Sequence, residues 1–103
     1  MQTPIATLEL IAHREGAAAT PVRVRLFAPE LSAPPSQYAC TVELQGIDST
    51  PRHIYGEGSM QALCLAAQHA IQSLVTFAEH GGKLTDTEGA EFDGTLFGFQ
   101  MLP

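Results

Sequence analysis

From Met60 to Ala78 the chain carries no formally charged side chain, with His69 counted as neutral. Apolar residues recur through this stretch at helical spacing: Met60, Leu63, Cys64, Ala67, Ile71, Leu74 and Ala78. The opposite side carries Gln61, Gln68, His69, Gln72, Ser73 and Thr76, with Leu65 among them. Ser59 is an expected N-cap, and Gly81-Gly82 supplies a left-handed stop. A helix from Ser59 to His80 would run roughly 30 Å, long enough to lie across a small sheet. A solvated helix back usually carries Lys and Glu. A back made of amides, hydroxyls and one leucine suggests a face that something else touches.

At 103 residues the chain is expected to be a single domain, residues 1–103, with one core. An apolar content of 45% fits a globular fold. Four strand-like runs precede the helix. Ile5 to His13 ends at the turn Glu15-Gly16. Val22 to Phe27 alternates, with Val22, Val24 and Leu26 on one side and Arg23 and Arg25 on the other. Gln37 to Gln45 alternates again, with Tyr38, Cys40, Val42 and Leu44 facing inward. Arg52 to Tyr55 reads as a short edge strand. Prolines 29, 34 and 35 mark residues 28–36 as a loop, and residues 46–51 read as a turn. After the helix, Lys83 to Asp93 is polar and acidic. Asp93-Gly94 is a hairpin signal, and Thr95 to Leu102 reads as a short last strand or a packed tail. The expected architecture is therefore α+β: an antiparallel meander of about four strands with one long helix on one face. Arg23 and Arg25 are expected to face Glu9 or Glu43 across neighbouring strands.

Eleven acids against five bases give a formal charge of −6. Nucleic-acid binding and attraction to anionic membranes both lean on clustered Lys and Arg. The bases here are scattered as Arg14, Arg23, Arg25, Arg52 and Lys83, so neither partner is expected. No basic segment leads into an apolar one near Met1, and no window is apolar enough to span a bilayer. The cytoplasm is the expected compartment. Cys40 and Cys64 stand alone, and both are expected as reduced, buried thiols.

Catalytic and metal-binding patterns are weak. His13, His53, His69 and His80 form no HxH or HExxH pair, and His69 and His80 would sit ~16 Å apart along the helix. Gly56 to Ser59 leads into a helix N-terminus that could hold an anion, but it matches no phosphate-binding fingerprint and Glu57 repels anions. The acids Asp86, Glu88, Glu91 and Asp93 miss the register of a calcium loop. No catalytic residue, metal or cofactor is expected. Leu65 breaks its own pattern. It is open to three readings: covered by the Phe97 to Leu102 tail, plainly exposed, or in contact with another chain.

The run Cys40-x-Val42-x-Leu44-x-Gly46, then Gly58-Ser59-Met60-Gln61-Ala62-Leu63-x-Leu65-Ala66, resembles a pattern in a group of small bacterial proteins. In these uncharacterised α+β domains a strand bearing a cysteine precedes a helix opening on Ser-x-Gln-Ala-Leu. The likeness covers about the middle half of the chain, from Tyr38 to Leu74. It implies a bacterial origin and supports the fold, and it transfers no functional residue.

The expected function is protein–protein contact without catalysis, as a homodimer or as an acidic, immunity-like inhibitor of a basic partner. The candidate interface is Gln61, Leu65, Gln68, His69 and Gln72. The alternative is a small-ligand-binding protein or minor enzyme using His53, Tyr55, Gly58 and Ser59.

Overall fold

The computed structural model describes residues 2–32 and 37–99. Its elements run β1 (Ala6–His13), β2 (Thr20–Leu26), β3 (Glu30–Ser32), β4 (Gln37–Gln45), β5 (Asp48–Gly56), α1 (Ser59–Glu79) and β6 (Lys83–Thr85), then a 3-10 turn at Gly94–Phe97. The six strands form one antiparallel sheet with the helix packed on it. β2 and β3 pair with successive parts of β4, opposite the edge taken by β5, so they lie end to end. Across the sheet the order is β6, β1, β2 with β3, β4, β5. The expected α+β layering is present, with more strands than the sequence pattern indicated.

Strand alternation translates directly into packing. Val22, Val24, Cys40, Val42 and Leu44 are buried in one core cluster with Leu10, Ala12 and the inner residues of α1. On the other sheet face, Glu9 stands opposite Arg23 and Arg25 opposite Glu43. Both pairs form ion pairs, the first at 3.3 Å. Each pair links two neighbouring strands, β1 to β2 and β2 to β4.

The helix sits on the sheet differently from the expected stripe. Its buried residues are Ala62, Ala66, Ala70, Ile71 and Leu74. Cys64 and Ala78 are exposed, and Met60 is 77% exposed. The face is turned toward a line of alanines because small side chains let the helix approach the strands closely. Gly56, the last residue of β5, shows how closely: a Cβ there would lie 2.5 Å from the Ala62 amide nitrogen. The same rotation moves Cys64 to the surface, while Cys40 is fully buried and donates its thiol to the Phe27 carbonyl at 3.1 Å.

Several boundaries differ from the sequence reading. The Ser59 cap is replaced by Gly58, which makes no side-chain cap bond; Gln61 Oε1 instead accepts the Glu57 amide at 2.6 Å. The turn after β4 is short, and β5 begins at Asp48, with Ser49, Thr50 and Pro51 inside it. The pairing shifts between Val42 and Leu44, and an outer strand with such an irregularity tolerates a proline. Gly46 makes the tight turn possible at φ +96°, and a Cβ there would strike the Pro21 carbonyl. β3 lies within the expected loop, and β6 within the acidic stretch. Asp93-Gly94 opens a 3-10 turn and not a hairpin: Asp93 Oδ1 accepts the Thr95 amide at 3.0 Å and its hydroxyl at 2.6 Å. The rest of the expected last strand, 100–102, lies outside the described residues.

Candidate contact face on the α1–β5 flank

α1 lies mainly over β4 and β5, with its C-terminal end toward β6. Along the β5 side the helix and strand leave an open groove lined by Ile54, Leu65, Gln68, His69 and Gln72. Four of the five candidate interface residues therefore share one surface, joined by Ile54. Gln61 is exposed and turned back to the Glu57 amide. Sequence reasoning missed Ile54 because the turn was placed too far along the chain and strand phase was left open there. The register supplies it: Ile54 stands opposite Cys40, a core residue, so it faces the helix.

Leu65 is 40% exposed. The described part of the C-terminal segment does not cover it, because Phe97 and Phe99 line a different groove beyond the other side of α1. The groove wall contains no formally charged residue, counting His69 as neutral. Within it, His69 Nε2 is shielded from solvent and has no hydrogen-bond partner among the described residues. Beside the groove runs the outer edge of β5, which among the described residues pairs with β4 alone. At its start, Asp48 accepts from Arg52 Nε at 2.7 Å and from the Thr50 amide at 3.1 Å. The Arg52 hydrogen bond, then the Thr50 amide, holds the Asp48 carboxyl below its ordinary value.

The alternative ligand residues do not converge. His53 and Tyr55 flank Ile54 in the strand, so they face away from the helix. His53 Nδ1 is tied to Thr41 Oγ1 at 3.0 Å. Gly58 and Ser59 sit at the helix start on the opposite layer. Of the acidic run, Asp86 Oδ1 accepts the Glu88 and Ala90 amides at 2.8 and 2.9 Å, which makes it a turn-forming residue. His13 Nε2 and Thr85 Oγ1, 3.0 Å apart, link β1 to β6. His80 Nδ1 donates to the Thr76 carbonyl at 2.8 Å and closes the helix end. Arg14 stacks over the Phe77 ring at 4.8 Å and donates to the Gly46 carbonyl at 3.0 Å.

A family model described as a domain of unknown function, DUF6968, matches residues 7–99. The chain belongs to the DUF6968 family. The DUF6968 match takes in nearly all of β1, every later element and all five candidate interface residues. No curated protein and no solved structure matches the chain. Among the described residues, no helix is long and apolar enough to cross a membrane.

Proposed function

We propose that this domain works by protein contact without catalysis, and that the α1–β5 flank joins two copies of the chain. The observation that carries the reading is Leu65, exposed beside Ile54 in an uncharged groove next to a strand edge that is unpaired among the described residues. A two-fold interface sets a patch against itself, so a neutral patch suits a second copy where a charged one would repel it. That matters for a chain with a net charge of −6. The regular half of β5, from Arg52 to Gly56, would pair antiparallel with its counterpart, bringing the two Ile54 and Leu65 side chains together. Strand addition at an open edge is a common contact mode.

The test is light scattering across a concentration series on the full chain and on Leu65→Asp. The parent should show a dimer that dissociates on dilution, and Leu65→Asp should remain monomeric throughout. Met60→Asp, on an exposed site beyond the groove, should behave as the parent does. A parent chain that is monomeric at every concentration, or a Leu65→Asp dimer of unchanged affinity, would overturn the homodimer.

A further inference from the structure

The lining of the α1–β5 groove includes one ionisable side chain, His69. Its ring sits in the wall with Ile54 and Leu65, and its Nε2 is shielded from solvent without a hydrogen-bond partner among the described residues. A neutral imidazole keeps one ring nitrogen as a bare acceptor, whereas protonation turns both nitrogens into donors. The elements around His69 supply little to hold that charge. On α1 itself, no charged residue lies between Met60 and Ala78. On β4, Val42 and Leu44 are apolar and buried, and Glu43 is on the other sheet face, paired with Arg25. On β5, Asp48 and Arg52 stand opposite Leu44 and Val42, so both project on the helix side, where they form an ion pair with each other at 2.7 Å. Of the influences that lower the Asp48 carboxyl, the Arg52 hydrogen bond comes first and the charge of His69 last.

We propose that His69 makes the contact between two copies pH-sensitive: the neutral ring permits the dimer and the protonated ring opens it. The inference rests on the homodimer reading and names how that face is regulated. Closing the groove against a second copy removes water from the His69 ring. An imidazolium would then lose its hydration with no acceptor waiting at Nε2, and burying a charge without a partner is costly. The neutral ring incurs no such cost. Asp48 attracts the protonated ring, but the Arg52 charge beside it offsets that attraction. Two-fold symmetry brings both copies of His69 into one interface, so the effect counts twice. Histidine changes charge between roughly pH 5 and 8, well above the aspartate range near pH ~4, so Asp48 stays ionised throughout. The sign separates this device from bulk charge. The chain carries −6 with its histidines neutral, so acidification reduces repulsion between copies and by itself would tighten a dimer. Protonation of His69 acts in the opposite direction.

The test is the dimer dissociation constant of the full chain, measured by light scattering across a concentration series at several pH values. Between about pH 8 and pH 5.5 the parent dimer should weaken about tenfold or more, with its helix signal in circular dichroism unchanged. His69→Gln should dimerise with no such weakening. His53→Gln, on the opposite sheet face, should follow the parent. A parent that is monomeric at every pH would overturn the homodimer and this proposal together. A parent dimer whose affinity is constant or rises as the pH falls would overturn the pH device alone and leave the dimer standing. The parent's pH dependence retained in His69→Gln would do the same. Reciprocity supplies a readout that needs no substitution. The ring signals of His69 in nuclear magnetic resonance should move at lower pH in a concentrated, dimeric sample than in a dilute, monomeric one. The same midpoint in both samples would overturn the proposal.

Discussion

At the scale of single residues, the two cysteines divide sharply. Cys40 is buried, donates to the Phe27 carbonyl, and has its thiol pushed above the ordinary value by burial. Cys64 is exposed on the helix. One thiol per native chain should therefore react with a disulfide reagent, and both after denaturation. Cys64→Ser should abolish the native reaction. A second fast native thiol would mean that Cys40 is reached by opening of the core. Gly56 makes another residue-scale prediction. A Cβ there collides with backbone and not with a yielding side-chain tip. Gly56→Ala should cost about 1–3 kcal/mol in a urea melt, as overpacking does.

At the scale of elements, the helix shows how a sequence pattern can give the right element with its buried face rotated: Ile71 and Leu74 of the expected stripe are buried and Leu63 packs on the core, while Met60, Cys64 and Ala78 are exposed. Its extent was legible because the charge-free run is long and glycines bound it. Its rotation was not, because size-weighted hydrophobicity favours Met60, Leu63 and Cys64 over Ala62, Ala66 and Ala70. Alanines bury little area each but set the distance between helix and sheet. Ala66→Leu should accordingly destabilise by about 1–3 kcal/mol despite adding apolar surface. Thermal melts check this, and an unchanged or raised melting temperature would mean that the helix is free to lift. The strands were legible where alternation was clean. β5 was read too short because Ser49, Thr50 and Pro51 look like a turn, yet pairing with β4 makes them strand.

At the scale of the molecule, charge is distributed as structure. Arg23, Arg25 and Arg52 pair with Glu9, Glu43 and Asp48 respectively, and Arg14 braces a turn and an aromatic ring. This gives acid sensitivity a definite sign. Arg52 holds the Asp48 carboxyl below its ordinary value; the Thr95 side chain and then its amide do the same for Asp93. The unfolded chain therefore takes up these protons first as the pH falls. Their stabilisation is complete above the ordinary aspartate range, near pH ~4, and is lost as the pH falls through that range to the lower folded values. Urea melts at falling pH should show this loss, and Asp93→Asn should flatten part of it. An acid limb unchanged in Asp93→Asn would remove Asp93 from the account.

The sequence by itself determined the layer architecture, the extent of the helix, the inward set on β2 and β4, and the outward side of Arg23 and Arg25; which acid each arginine meets was left between Glu9 and Glu43 and was decided by strand register. Each follows from a local period or a short spacing that holds in any packing. It also put Leu65, Gln68, His69 and Gln72 on one helix flank. Only the tertiary structure decided that Ile54 and an open strand edge lie beside them, that the buried helix face is the alanine line, and that Phe97 and Phe99 belong to the other flank. Those depend on how closely and at what rotation the helix meets the sheet. That rotation is set by the fit of Gly56 against Ala62 and of the alanines against the strands, a balance among contacts distant in sequence.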